Sequence, residues 1–127
     1  MYFRRYRTVV TTVADGSATA YTDNLNGALY ALKYTKHGTT PFDDGVDFVI
    51  TTEDTALAIW SEENVNATAL RLPRAQVCST AGVVQYSDSL AGATIVGEPI
   101  ALAHERVKIV IASGGNVKIG TFDVWVT

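Results

Sequence analysis

Residues 106–127 constrain this chain more than any other stretch: two apolar, β-branched runs flank a glycine pair near the last residue. Val107-Lys108-Ile109-Val110-Ile111 precedes Gly114-Gly115-Asn116, and Ile119-Gly120-Thr121-Phe122-Asp123-Val124-Trp125-Val126 follows it. Apolar runs bounded by Gly and Asn read as a β-hairpin. Side chains alternate across a strand, so Phe122, Val124 and Val126 share one face and are assigned to the core. Trp125 and Lys118 are left outside as contact residues. A chain committed to a strand at its end is expected to close an all-β body. Nothing in the hairpin is reactive, so it points to a role carried by shape and surface.

The rest of the chain repeats that grammar. Thr, Val and Ala are the commonest residues, and Thr with Val is a strand composition. Phe3 to Val13 reads as the first strand and Asp15-Gly16 as a turn, with Ala18 to Thr22 extended after it. In Ala28 to Lys36, a strand places Tyr30, Leu32 and Tyr34 on one face and Leu29, Ala31 and Lys33 on the other. Val46 to Thr52 follows the Asp43-Asp44-Gly45 turn with Val46, Phe48 and Ile50 on one face. Leu57 to Trp60 could open a helix capped by Asp54 or Thr55, but Asn64, Val65, Asn66 and Thr68 are poor helix formers, so a strand is favoured. Leu70-Arg71-Leu72 ends at Pro73, Val83 to Tyr86 is a short strand, and Ser87 to Ala93 is a loop. Pro99 makes any strand over 95–102 an edge strand or an interrupted one. About eight or nine short strands separated by turn signals is the pattern of a jelly-roll-like β-sandwich.

A length of 127 residues suits one such domain, 1–127, with a core of its own and residues 1–7 as a basic-aromatic N-terminal arm. Apolar residues at 47% and charged residues at 18% make the chain globular rather than disordered. A net charge of −3 argues against a nucleic-acid binder. The single cysteine, Cys78, rules out an intramolecular disulfide framework. Thr8, Thr11 and Thr12 interrupt what would be the apolar part of a secretion signal, and no run approaches a membrane span.

Candidate chemistry is sparse. Asp43, Asp44, Asp47, Glu53 and Asp54 could hold a calcium ion, but their spacing is not that of a calcium loop, and a solvated turn is the expected reading. Glu62 and Glu63 are adjacent, and on a strand they point apart. His37, His104 and Cys78 sit in no catalytic motif, and no phosphate loop, nucleophile elbow or zinc spacing is present. No enzyme, cofactor or metal is expected. Asn66-Ala67-Thr68 matches a glycosylation sequon that means nothing without export.

The surface carries the remaining candidates. Tyr2, Phe3, Arg4, Arg5, Tyr6 and Arg7 interleave cations with aromatics, a composition suited to an acidic protein partner, or to an edge strand whose charges discourage strand addition. Deleting residues 2–7 is expected to spare the fold and weaken assembly. The loop from His37 to Asp44 and Trp125 are further candidate contacts. Trp60 and Trp125 could instead form a sugar-stacking strip.

Taken in order, Gly27 to Tyr34, Asp44 to Glu53, Leu72-Pro73-Arg74, Arg106 to Ala112 with Gly114-Gly115, and Thr121 to Val126 resemble the small all-β accessory virion proteins of tailed bacteriophages. The resemblance implies a sandwich or jelly-roll module that coats the capsid or completes the neck or tail, with no catalytic residue to transfer. It implies the major capsid protein or other virion proteins as partners, a homo-oligomer, and a virion location after synthesis in the host bacterial cytoplasm. Capsid cement or decoration is the leading expectation. A neck, collar or tail protein is the alternative, and a carbohydrate-binding sandwich the second alternative.

Overall fold

Alternation within the apolar runs sets the architecture. The computed structural model describes residues 2–76, 78, 80–82 and 97–127. The strands are β1 (Arg4–Thr11), β2 (Ala18–Tyr21), β3 (Leu25–Lys36), β4 (Asp47–Thr52), β5 (Ala58–Glu62) and β6 (Ala69–Arg71). They continue as β7 (Ala75–Gln76), β8 (Gly97–Glu98), β9 (Ile100–Glu105), β10 (Val107–Ala112) and β11 (Ile119–Val126). A five-stranded antiparallel sheet runs β1-β11-β3-β6 with β9 also on β3, and a four-stranded sheet runs β2-β10-β4-β5. β7 and β8 form a separate two-stranded ribbon. The fold is all-β and sandwich-like, as the strand pattern suggests. The strand reading of Leu57 to Trp60 agrees with β5, and Pro99 falls in the gap between β8 and β9.

The two inner faces make one core. Phe48 and Ile50 of β4, Ile109 and Ile111 of β10, and Phe122, Val124 and Val126 of β11 are all buried, as are Leu29, Leu32 and Tyr34 of β3. Each large apolar side chain so buried contributes about 1.5–3 kcal/mol. At the centre the Phe48 ring meets Tyr34, Phe122 and Trp60 edge-on, with centroids at 4.8, 5.1 and 5.3 Å. That geometry suits aromatic quadrupoles.

Four expectations need correction. The two runs of residues 106–127 are strands, but they do not form a hairpin. β10 lies between β2 and β4 in one sheet, and β11 lies between β1 and β3 in the other. Both edges of each strand are already paired, so residues 113–118 arch from sheet to sheet. The arch is held by the Thr12 hydroxyl, which donates to the Gly115 carbonyl at 2.6 Å and accepts from the Lys118 amide at 2.8 Å. The Gly114 amide donates to the Gly16 carbonyl at 2.8 Å. Gly115 has φ of +86°, a conformation that favours glycine, and a Cβ there would also displace the Asp43 carboxylate.

Second, Tyr30 does not share a face with Leu32 and Tyr34. Trp125 is paired with Ala31 and Val126 with Leu29, which leaves Tyr30 as the extra residue of a β-bulge. The bulge turns Tyr30 outward while Leu29 and Leu32 both point in.

Third, residues 4–7 are not a free arm. They are the first half of β1 and pair in register with β11, from Arg4 opposite Val126 to Arg7 opposite Asp123. Tyr6 packs against the core from this segment. Fourth, the described residues alone hold eleven strands, more than expected, because short pieces such as β7 and β8 carry little sequence signal. The strand expected over Val83 to Tyr86 and the loop over Ser87 to Ala93 lie outside the described residues.

Candidate docking surface on the five-stranded sheet

The same alternation that buries Phe122, Val124 and Val126 sends Trp125 to the outer face of the five-stranded sheet, where it is half-buried. Beside it the β3 bulge presents Tyr30 and Ala31, followed by Lys33. Leu70 of β6 is the register partner of Lys33, and Leu72 lies one residue past the end of β6. Phe3, just before β1, closes the other side with its ring 5.0 Å from that of Tyr30. Together Phe3, Tyr30, Ala31, Lys33, Leu70, Leu72 and Trp125 line an open groove of about 620 Å³.

Four of those side chains leave much of their apolar surface in solvent: Phe3 and Tyr30 are each 41% exposed, Leu70 55% and Leu72 53%. Scattered exposed apolar residues are ordinary, but a contiguous set in one concavity is a candidate interaction surface. Leu70 and Leu72 face outward because Arg71 between them faces the other way. Its guanidinium donates to both Glu62 carboxylate oxygens at 3.0 Å and lies 5.1 Å from the Trp60 ring.

Cations border the groove. Arg74 lies 5.2 Å from the Tyr30 ring and donates to the Tyr30 carbonyl at 2.9 Å. Arg5 is opposite Trp125 in the register and so shares its face. Further along β11, Arg7 donates from Nε and Nη2 to Asp123 at 2.8 and 3.1 Å. That hydrogen bond, with the attraction of the carboxylate, raises the Arg7 pKa above its ordinary value. Asp123 is buried beneath the pair.

The other candidate residues are dispersed. Tyr2 and Arg4 border a separate hollow with Asn26, Val126 and Thr127, with the Arg4 guanidinium 5.7 Å from the Tyr2 ring. His37 follows the end of β3, where Lys36 is opposite Gly120, and is thus remote in register from Trp125, which is opposite Ala31. Its Nδ1 accepts the amides of Thr39 and Thr40 at 3.2 and 3.0 Å, organising its own turn. Trp60 is buried against Phe48, so it offers no face to a sugar.

In the acidic turn, Asp43 and Asp44 approach Lys118 and Lys36 at 4.0 and 3.9 Å, while Asp47 accepts the Asn64 amide. Among the described residues, no three His, Cys, Asp or Glu side chains are grouped to hold a metal ion. Glu105, buried on β9, accepts the amides of Asp54 and Thr55 and the Thr55 hydroxyl, which fixes the turn between β4 and β5. Cys78 is a free, exposed thiol.

Of the candidate contacts named from the sequence, Phe3 and Trp125 line this groove and Arg5 is opposite Trp125, while Tyr30, Lys33, Leu70, Leu72 and Arg74 are not among them. The Leu-Arg-Leu alternation was a usable signal for the two leucines. The Tyr30 bulge had none.

No protein-family model matches the chain, and no curated relative matches it. Among solved structures, the crystal structure of FLHE covers 98% of this chain and 96% of its own, with 10% identity and a TM-score of 0.46. A likeness of that size carries no argument.

Proposed function

We propose that the protein is a non-enzymatic structural component of a tailed-phage virion, a capsid cement or decoration protein that binds the major capsid protein lattice and stabilises the head. The observation that carries the reading is the apolar groove on the outer face of the five-stranded sheet. A rigid sheet bearing Trp125, Tyr30, Phe3, Leu70 and Leu72 offers the buried anchors on which protein interfaces depend. The order of segments resembling small accessory virion proteins supplies the setting. Decoration needs only modest affinity at each contact, because copies arrayed on a symmetric shell reinforce one another.

A sugar platform has less support. The Phe3 and Tyr30 rings are tilted by 54° and so form no coplanar strip, and Leu70 and Leu72 make up much of the opposite wall.

The test is copy number, by quantitative mass spectrometry of purified virions. Decoration predicts a count that scales with the capsomers of the shell. A count equal to one ring of the neck or tail moves the protein there, and absence from virions overturns the proposal.

A further inference from the structure

Ion pairs account for the cations over much of the molecule: Arg7 with Asp123, Lys36 with Asp44, Arg71 with Glu62, Arg106 with Glu53 and Lys118 with Asp43. Among the described residues, Arg5, Lys33 and Arg74 form no such ion pair; Lys33 lines the groove, Arg74 lies 5.2 Å from the Tyr30 ring at its edge, and Arg5 is opposite Trp125 in the register. Of the other cations without one, Arg4 stacks on Tyr2 and Lys108 lies on β10 in the opposite sheet. A chain of net charge −3 thus presents three of the five cations outside those ion pairs beside its exposed apolar concavity, with Asp123, already held by Arg7, opposite Lys33 in the register.

We infer that the groove receives a protein segment in which large apolar side chains are flanked by carboxylates. This rests on the groove being the docking site, and it names the chemistry of what docks. The apolar side chains lie against Trp125, Leu70 and Leu72, where burial drives association. The flanking carboxylates reach Arg5, Lys33 and Arg74. Complementary charge fixes register and speeds encounter more than it adds affinity, so the cations select the segment and the apolar floor holds it. A second copy of this chain is a poor occupant, since two grooves face to face would oppose their cations. Single-stranded nucleic acid would satisfy the cations and find Trp125, Tyr30 and Phe3 to stack on. A net charge of −3 opposes it, and Leu70 and Leu72 offer it no polar or aromatic contact, so it is kept as an outcome of the test.

The experiment pans a random-peptide display library on the full-length protein, with a Leu70→Ser, Leu72→Ser double variant as counter-selection. Both leucines are exposed, so the variant keeps its fold, and circular dichroism checks that. The expected peptides carry Asp or Glu on both sides of aromatic or Leu residues. Their Kd should rise at least about tenfold in an Arg5→Glu, Lys33→Glu, Arg74→Glu variant, and binding should weaken with added salt.

Groove-dependent peptides without excess acid, or no groove-dependent peptides, overturn the inference. So does a thymidine oligonucleotide bound through the same three cations, or self-association in sedimentation that the leucine variant abolishes. Acid-flanked peptides that bind while isolated phage heads do not uphold the inference and defeat the virion assignment. Heads captured through the groove, together with peptides of unbiased charge, do the reverse.

Discussion

At the residue scale, Phe48 sits where the two sheets meet, with Tyr34, Phe122 and Trp60 edge-on around it. Phe48→Ala should cost about 3–5 kcal/mol in urea unfolding, because the surrounding rings cannot all collapse into the space. Gly120 shows the opposite constraint, since a Cβ there would fall 2.4 Å from the Phe42 ring. Gly120→Ala should cost about 1–3 kcal/mol by overpacking, measured the same way.

Acid sensitivity also belongs at this scale. Arg106 donates to Glu53 at 2.6 Å, and that hydrogen bond holds the Glu53 carboxyl below its usual pKa. A folded pKa below the unfolded one gives stability that is complete above the unfolded value, about 4.3, and lost as pH falls through the folded value. Glu53→Gln should therefore flatten the loss of stability below about pH 5 and change its slope little above it, as read by unfolding midpoints across that range.

At the scale of elements, β1 and the arch between β10 and β11 are the decisive cases. Deleting residues 2–7 removes half of β1 and its pairing with β11, the Tyr6 packing and the partner of buried Asp123. The truncated chain should unfold at a clearly lower urea concentration than the full chain. An unchanged midpoint would restore the reading of these residues as an arm.

Much of the element pattern was legible, because period-two alternation in Phe48-Val49-Ile50 and Phe122-Asp123-Val124 states which side chains go inside. The pairing was not. Val107 to Ile111 and Ile119 to Val126 look the same whether they bond to each other or stack in opposite sheets. What decides is that β2, β4, β1 and β3 occupy all their edges, and those contacts are distant in sequence. The groove escaped detection for a related reason: it depends on one bulge at Tyr30 and on the inward turn of Arg71 onto Glu62.

At the scale of the whole molecule, the sandwich is a frame that holds an apolar concavity with cations beside it on an outer face. We propose that this face is where the protein meets a capsid. The most direct measurement is co-sedimentation of the purified protein with phage heads assembled without it, comparing the wild type with the Leu70→Ser, Leu72→Ser variant. Saturable binding by the wild type is expected, with a loss of at least about tenfold in affinity for the folded variant. A wild type that stays in the supernatant, or a variant that binds as tightly as the wild type, would contradict the proposal.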